Sequence, residues 1–181
     1  MGLRKLYTSL LSRFKSAAME LDQDVPRGLY RLHHSSSAHF ITFTCYHRYA
    51  HLSDPFVRDR FVQARERTRT LYRRHVYGFV VLPEPVHLLI SEPERGTVAN
   101  AIQSLKISSA KRGKQCYAVA AEERAFWQKR YYDRKVRGKE FTEKLKSIHR
   151  NPVRRGLVAR AEDGKWSSYR HYLTGELWGG G

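Results

Sequence analysis

Between residues 40 and 46, FITFTCY, apolar and polar side chains alternate, with Ile41, Phe43 and Cys45 on one side and Thr42, Thr44 and Tyr46 on the other. A period of two predicts a half-buried β-strand. The period then lengthens. Phe61, Ala64, Thr68 and Leu71 recur at helical spacing with arginines facing outward, and Asp54 followed by Pro55 supplies an N-cap and a first-turn proline. VYGFVVL (76–82) is β-branched and aromatic, Pro83-Glu84 suits a turn, and VHLLI (86–90) suits the returning strand. After the loop EPERGT, Thr97 is positioned to cap a helix that places Val98, Ala101, Leu105 and Ser108 on one side. AFWQKRYYD (125–133) reads as a strand or extended segment. KEFTEKLKSIHRN reads as a helix with Phe141, Leu145 and Ile148 on one face, stopped by Pro152.

The order strand, helix, hairpin, helix, short strand, helix predicts an α+β chain: a ferredoxin-like antiparallel sheet with helices on one face. Residues 33–175 are expected to form the domain. Residues 1–32 read as an N-terminal arm, basic but without the continuous apolar run of a secretory signal, and the glycine-ended stretch 176–181 reads as a disordered tail.

Composition narrows the class of partner. The chain has 181 residues, enough for one domain with a real core, and 41% are hydrophobic, which excludes a disordered chain. Its 34 Lys and Arg against 17 Asp and Glu leave a net charge of +17. Such an excess favours a polyanion, above all nucleic acid, with a membrane surface as the weaker alternative. The apolar stretches are all too short to span a membrane. Cys45 and Cys116 have neither disulfide-framework nor zinc spacing, which suits a reducing cytoplasm.

Two groups of residues could carry function. In PVHLLI, strand periodicity points positions 85 and 87 the same way, and two histidines so placed would offer two imidazoles to one metal. Here only His87 is a histidine; Pro85 has no ligand atom, though a proline is tolerated at a strand start. His87 therefore reads either as a ligand or as a hydrogen-bonded strand histidine. The second group is basic and aromatic. It comprises Lys106, Lys111 and Arg112 at the second helix, and Lys129, Arg130, Arg134, Lys135 and Arg137 around Trp127, Tyr131 and Tyr132. Arg150, Arg154 and Arg155 follow at the last helix. Cations mixed with aromatics suit single strands and hairpins, with phosphates held electrostatically and exposed bases stacked; a solvated charged face accounts for part of the same pattern. Asp133 could assist a metal or simply end a strand. His149 is expected at the surface, and His33 and His34 carry little signal.

Taken together, HFITFTCYHR, YGFVVLPEPVHLLISEPERGT, FWQKRYYD and KSIHRNPVRRGLV resemble the REP-associated tyrosine transposases and related single-strand insertion-sequence transposases of the HUH superfamily. The resemblance implies a fold of that type, DNA transposition by tyrosine-mediated cleavage and transfer of hairpin-forming single-stranded DNA, a divalent metal (Mg or Mn), and a monomer or homodimer. In that family two strand histidines and a late-helix amide hold the metal, and a tyrosine one helical turn before the amide attacks the phosphate. The resemblance places His87 and Asn151 among the metal ligands, puts Pro85 at the first-histidine position, and puts Ser147 at the tyrosine position. It therefore implies no catalytic residue at the family position, and a metal bound weakly or not at all. Two other readings remain open: an active transposase that uses Tyr131 or Tyr132, and an RNA-binding or adaptor protein that keeps only the fold.

Overall fold

The computed structural model describes residues 38–114 and 125–174. The arm expected over 1–32, the tail expected over 176–181, and His33, His34 and Cys116 lie outside the described residues.

β1 (Ala38–Phe43), β2 (Val76–Val81), β3 (Val86–Ile90) and β4 (Tyr132–Val136) form one antiparallel sheet in the order β2-β3-β1-β4. The helices are α1 (Pro55–Tyr72), α2 (Val98–Lys114), α3 (Gly138–Arg154) and the short α4 (Tyr169–Thr174). Local chemistry sets their starts. The Asp54 carboxylate accepts from the Phe56 amide at 2.8 Å with Pro55 in the first turn of α1. Thr97 and Asn100 cap α2 reciprocally: the Thr97 hydroxyl accepts from the Asn100 amide at 3.1 Å, and Asn100 Oδ1 accepts from the Thr97 amide at 3.2 Å.

The sheet is covered on both sides. Ile41, Phe43, Phe79, Val81, Leu88 and Ile90 face a cluster with Phe61 of α1 and Ile102 and Leu105 of α2. Phe40, Val80, Leu89 and Val136 face a second cluster with Leu145 and Ile148 of α3. The expectation of helices on one face thus holds for α1 and α2, and α3 departs from it. Over 41–46 burial alternates as expected, with Ile41, Phe43 and Cys45 buried and Thr42, Thr44 and Tyr46 half-buried, while nearer the start of β1 Phe40 is buried on the second face as well.

Other expectations are corrected locally. Leu71 is 58% exposed, and Arg65, expected outside, is buried with its guanidinium 4.2 Å from the Phe79 ring centre. Ser109, not Ser108, takes the inner face of α2, where the Trp127 indole donates to its hydroxyl at 3.1 Å. The last strand runs 132–136, not 125–133; the preceding segment contributes only a bridge between Trp127 and Cys45. Pro152 does not stop α3: it sits in the last turn, where its fixed φ is helical and its missing N–H removes one bond.

The two sheet edges differ. Val80 bridges Ser167, the Val81 amide donates to the Trp166 carbonyl, and the Ser168 amide donates to the Phe79 carbonyl, so the β2 edge is covered. The outer edge of β4 carries Asp133, Arg134 and Lys135, all exposed. Gly78 lets α3 approach β2: a Cβ there would meet Leu145 Cδ1 at 2.5 Å.

Candidate functional site

Register builds the site from three strands. Thr42 of β1 pairs with His87 of β3 on one side and with Tyr132 of β4 on the other. Facing partners in an antiparallel sheet share a face, so His87, Thr42 and Tyr132 form one row. Strand alternation puts that row on the side of Phe40 and Leu89, under α3.

His87 is held on two sides. Its Nδ1 is 2.8 Å from Thr42 Oγ1, and its ring stacks on Phe40 at 5.8 Å between centres with a 13° interplanar angle. Its Nε2 has no hydrogen-bond partner among the described residues. Burial, then the nearby Arg155 and Lys144 charges, push the imidazole down to about 4, so it is neutral near pH 7.

Helix α3 lies over the row. Lys144, Ser147, Asn151 and Arg155 are spaced three, four and four apart, one stripe of an α-helix continued into its cap. Both ends of the stripe reach the sheet near His87. Lys144 Nζ sits 4.7 Å above the Phe40 ring, and Arg155 donates to the Glu84 carbonyl at 2.7 Å in the turn before β3. Ser147 and Asn151, both half-buried, lie between these anchors. The helix thus turns the two expected positions toward the face that carries His87.

The donor set fits a resident divalent cation poorly. Pro85 is buried and offers no ligand atom, His87 has one open nitrogen, and two cations already act on that ring. Among the described residues, no group of three His, Cys, Asp or Glu side chains could hold a metal.

The expected nucleic-acid set divides. Tyr132 is 49% exposed, with Arg134 beside it on the same face; the Tyr132 phenol, then Glu140, raise the Arg134 guanidinium. Arg130, Arg150, Arg154, Arg155 and Lys111 are exposed; of Arg112 only its place in α2 is described. Trp127 is corrected to a core residue, 7% exposed, against Phe43 and Phe61. Tyr131 packs against the α1/α2 cluster, with its phenol pushed up by burial. Lys106 is engaged: its ammonium donates to the backbone carbonyls of Gln128 and Lys129. Asp133 faces away from the row and receives His39 Nδ1 at 2.8 Å; His39 Nε2 lies 3.3 Å from Glu92, which also takes Lys135 at 2.8 Å. His149 is corrected from surface to core. It is 1% exposed, its Nε2 is 2.9 Å from Ser168 Oγ, and burial pushes it down to about 3. Cys45 is buried and its thiol pushed up to about 12, chiefly by burial, so it is not a reactive thiol.

Sequence reasoning missed Thr42, Phe40 and Lys144. Thr42 and Phe40 become visible only through strand register, and Lys144 only through the side of the sheet that α3 takes.

Three comparisons bear on this arrangement. The model of the family described as transposase IS200 like matches residues 33–151. A REP-associated tyrosine transposase of Haemophilus influenzae is 28% identical over 134 residues, which cover 67% of this chain and 76% of that one. The structure of a REP-associated tyrosine transposase bound to a REP hairpin superposes with a TM-score of 0.60 at 19% identity, over 81% of this chain and 87% of the other.

Proposed function

The chain belongs to the IS200-like transposase family, and on that premise we propose that it binds hairpin-forming single-stranded DNA in the cytoplasm, with strand cleavage weakened or lost. The observation that carries this reading is the His87–Thr42–Tyr132 row beneath α3, overhung by Lys144 and Arg155 and flanked by Arg134. A phosphate backbone entering that face meets cations from α3 and from β4, while the +17 net charge supplies long-range attraction. The relative bound to a REP hairpin supports DNA of that shape as the ligand.

Cleavage by the family route is weakened at two points. Pro85 removes one imidazole, and His87 with Asn151 leaves too few donors for a resident metal. Ser147 is shorter than a tyrosine by about a phenyl ring, where a misplacement of about 1 Å costs roughly 100-fold. Its alkoxide is also a poorer leaving group than a phenolate, whose pKa is about 10.

Fluorescence anisotropy with a DNA hairpin at moderate salt tests binding, and denaturing gels after incubation with Mn²⁺ test cleavage. Binding without a covalent adduct is expected. Failure to bind any stem-loop sinks the reading, and a DNA-linked band with the wild-type protein sinks its inactive part. Preference for the matching RNA hairpin would move the protein to an RNA-binding role.

One observation favours a second reading, in which cleavage persists through Tyr132. Tyr132, unlike Tyr131, shares the face and row of His87 and has a guanidinium beside its phenol. In that reaction Tyr132 Oη bonds to phosphorus, the phosphorus bond to the departing 3′ oxygen breaks, and the phenol proton ends on the released hydroxyl. An adduct that disappears in Tyr132→Phe and survives in Tyr131→Phe would establish it.

A further inference from the structure

The segment between β1 and α1 carries a run of rings that the row under α3 does not use. From the core outward, Trp127 lies 4.8 Å from Phe126, Phe126 stacks on His51 at 5.0 Å, and His51 lies 5.7 Å from Tyr49. Tyr49 is 6.1 Å from His47, and His47 is 4.2 Å from Tyr46. The inner end is buried; at the outer end Tyr49 is 47% exposed and His47 and Arg48 are exposed.

This surface is fixed in place. The Tyr46 amide donates to the Phe126 carbonyl at 3.0 Å, the Gln128 amide to the Thr44 carbonyl at 3.0 Å, and the Leu52 amide to the Pro83 carbonyl at 3.3 Å. The last bond ties the segment to the turn that leads into His87. The backbone is also strained: His47 and Arg48 are consecutive non-glycine residues in the left-handed region, at φ 49° and 58°. Residues held so cluster where function needs them, because folding alone selects against them. Exposed Lys129 and Arg130 follow Gln128 on the adjoining segment.

We infer that Tyr49 and His47, with Arg48 beside them, form a stacking platform for unpaired bases next to the hairpin-binding face. The inference rests on the hairpin reading and specifies where the single-stranded flank runs. Every base has a π-face, so an exposed ring run tolerates any sequence, and Arg48 can neutralise the accompanying phosphate. Rings held against one another, in a run that reaches the core through Phe126 and Trp127, lose less freedom on binding than isolated ones.

The test compares a DNA hairpin bearing six unpaired thymidines on each side of the stem with the same hairpin made blunt, by fluorescence anisotropy. Wild type is expected to prefer the flanked hairpin. Tyr49→Ala should weaken the flanked complex about tenfold and leave the blunt one nearly unchanged, whereas Tyr49→Phe should bind both as wild type does. His47→Gly separates platform from scaffold: glycine takes a positive φ without steric cost, which offsets its larger loss of chain entropy, so this variant should melt close to wild type while losing flank preference. If wild type binds the two hairpins alike, or if Tyr49→Ala and His47→Gly keep its preference, the platform is refuted and the hairpin reading stands. If wild type binds neither, the hairpin reading fails and takes the platform with it.

Discussion

Acid should unfold this protein through two histidines before its carboxylates matter. His149 lies on the inner face of α3 against Ser168 with its pKa pushed down to about 3, and His87 is pushed down to about 4, in both cases chiefly by burial. Both imidazoles have an ordinary value of 6.5 in the unfolded chain. The unfolded state therefore binds more protons between that value and the folded ones. Stability is fully present above about pH 6.5 and is lost as pH falls toward 4 and 3, at about 1.4 kcal/mol per pH unit for each fully protonating site. At pH 5 this amounts to roughly 2 kcal/mol for His149 and, discounted for its partial exposure, about 1 kcal/mol for His87. His51, lowered by burial, adds in the same direction. Against a typical total of about 5–15 kcal/mol this loss is readily measured. Urea unfolding at pH 7.5, 6 and 5 should show the midpoint falling at each step. His149→Gln, whose amide can still reach Ser168, should flatten more than half of the decline. An equal midpoint at pH 7.5 and 5, or an undiminished decline in the variant, would refute the burial argument.

Further expectations concern the sheet faces and the altered site. Gly78→Ala drives a methyl into Leu145, so it should cost about 1–3 kcal/mol by urea unfolding; an unchanged midpoint would show that the Leu145 side chain or α3 yields. Arg65 and Arg74 are buried with guanidinium nitrogens that have no hydrogen-bond partner among the described residues, although Arg65 Nη2 lies 3.5 Å from Glu66 Oε2, and each is pushed down to about 10, chiefly by burial. Arg65→Met should therefore raise stability by about 1 kcal/mol or more, and a lower melting temperature would contradict this. Lys144→Met removes a cation acting on His87, so its imidazole should titrate at higher pH in NMR spectra of the variant, with no shift counting against the geometry. Pro85→His combined with Ser147→Tyr should gain Mn²⁺-dependent nicking of a hairpin; a well-folded double variant that cannot nick would show that more than two positions have changed.

How much of this was legible beforehand depended on the range of the interaction. Strand, hairpin and cap positions follow from neighbours in the chain, so Asp54, Thr97 and the β2–β3 turn were readable. The i, i+4 relation of Ser147 and Asn151 is likewise local. Thr42 beside His87 and Tyr132 is not, because register joins residues 45 and more positions apart. The fate of His149 turned on α3 covering the second sheet face, which also buried Phe40. Trp127 sits in a basic stretch that resembles a binding surface, yet its indole closes the core through Ser109. Composition cannot separate an anchored ring from an offered one; only packing does.

The two rims of the sheet have opposite consequences for association. Along Phe79–Val81 of β2 the backbone is already engaged by residues 166–168, so that stretch has no free ladder to offer a visiting strand. Along β4 no strand pairs on the outer side among the described residues, and the strand bears both signs of charge within three residues, from Asp133 to Lys135. Adding an identical strand antiparallel with Arg134 opposite its own copy would in the same register set Asp133 opposite Lys135, so attraction in that alignment is offset by repulsion between the two guanidiniums. This mixed charge guards the molecule against edge-to-edge aggregation at the concentrations a strongly basic protein reaches on a polyanion.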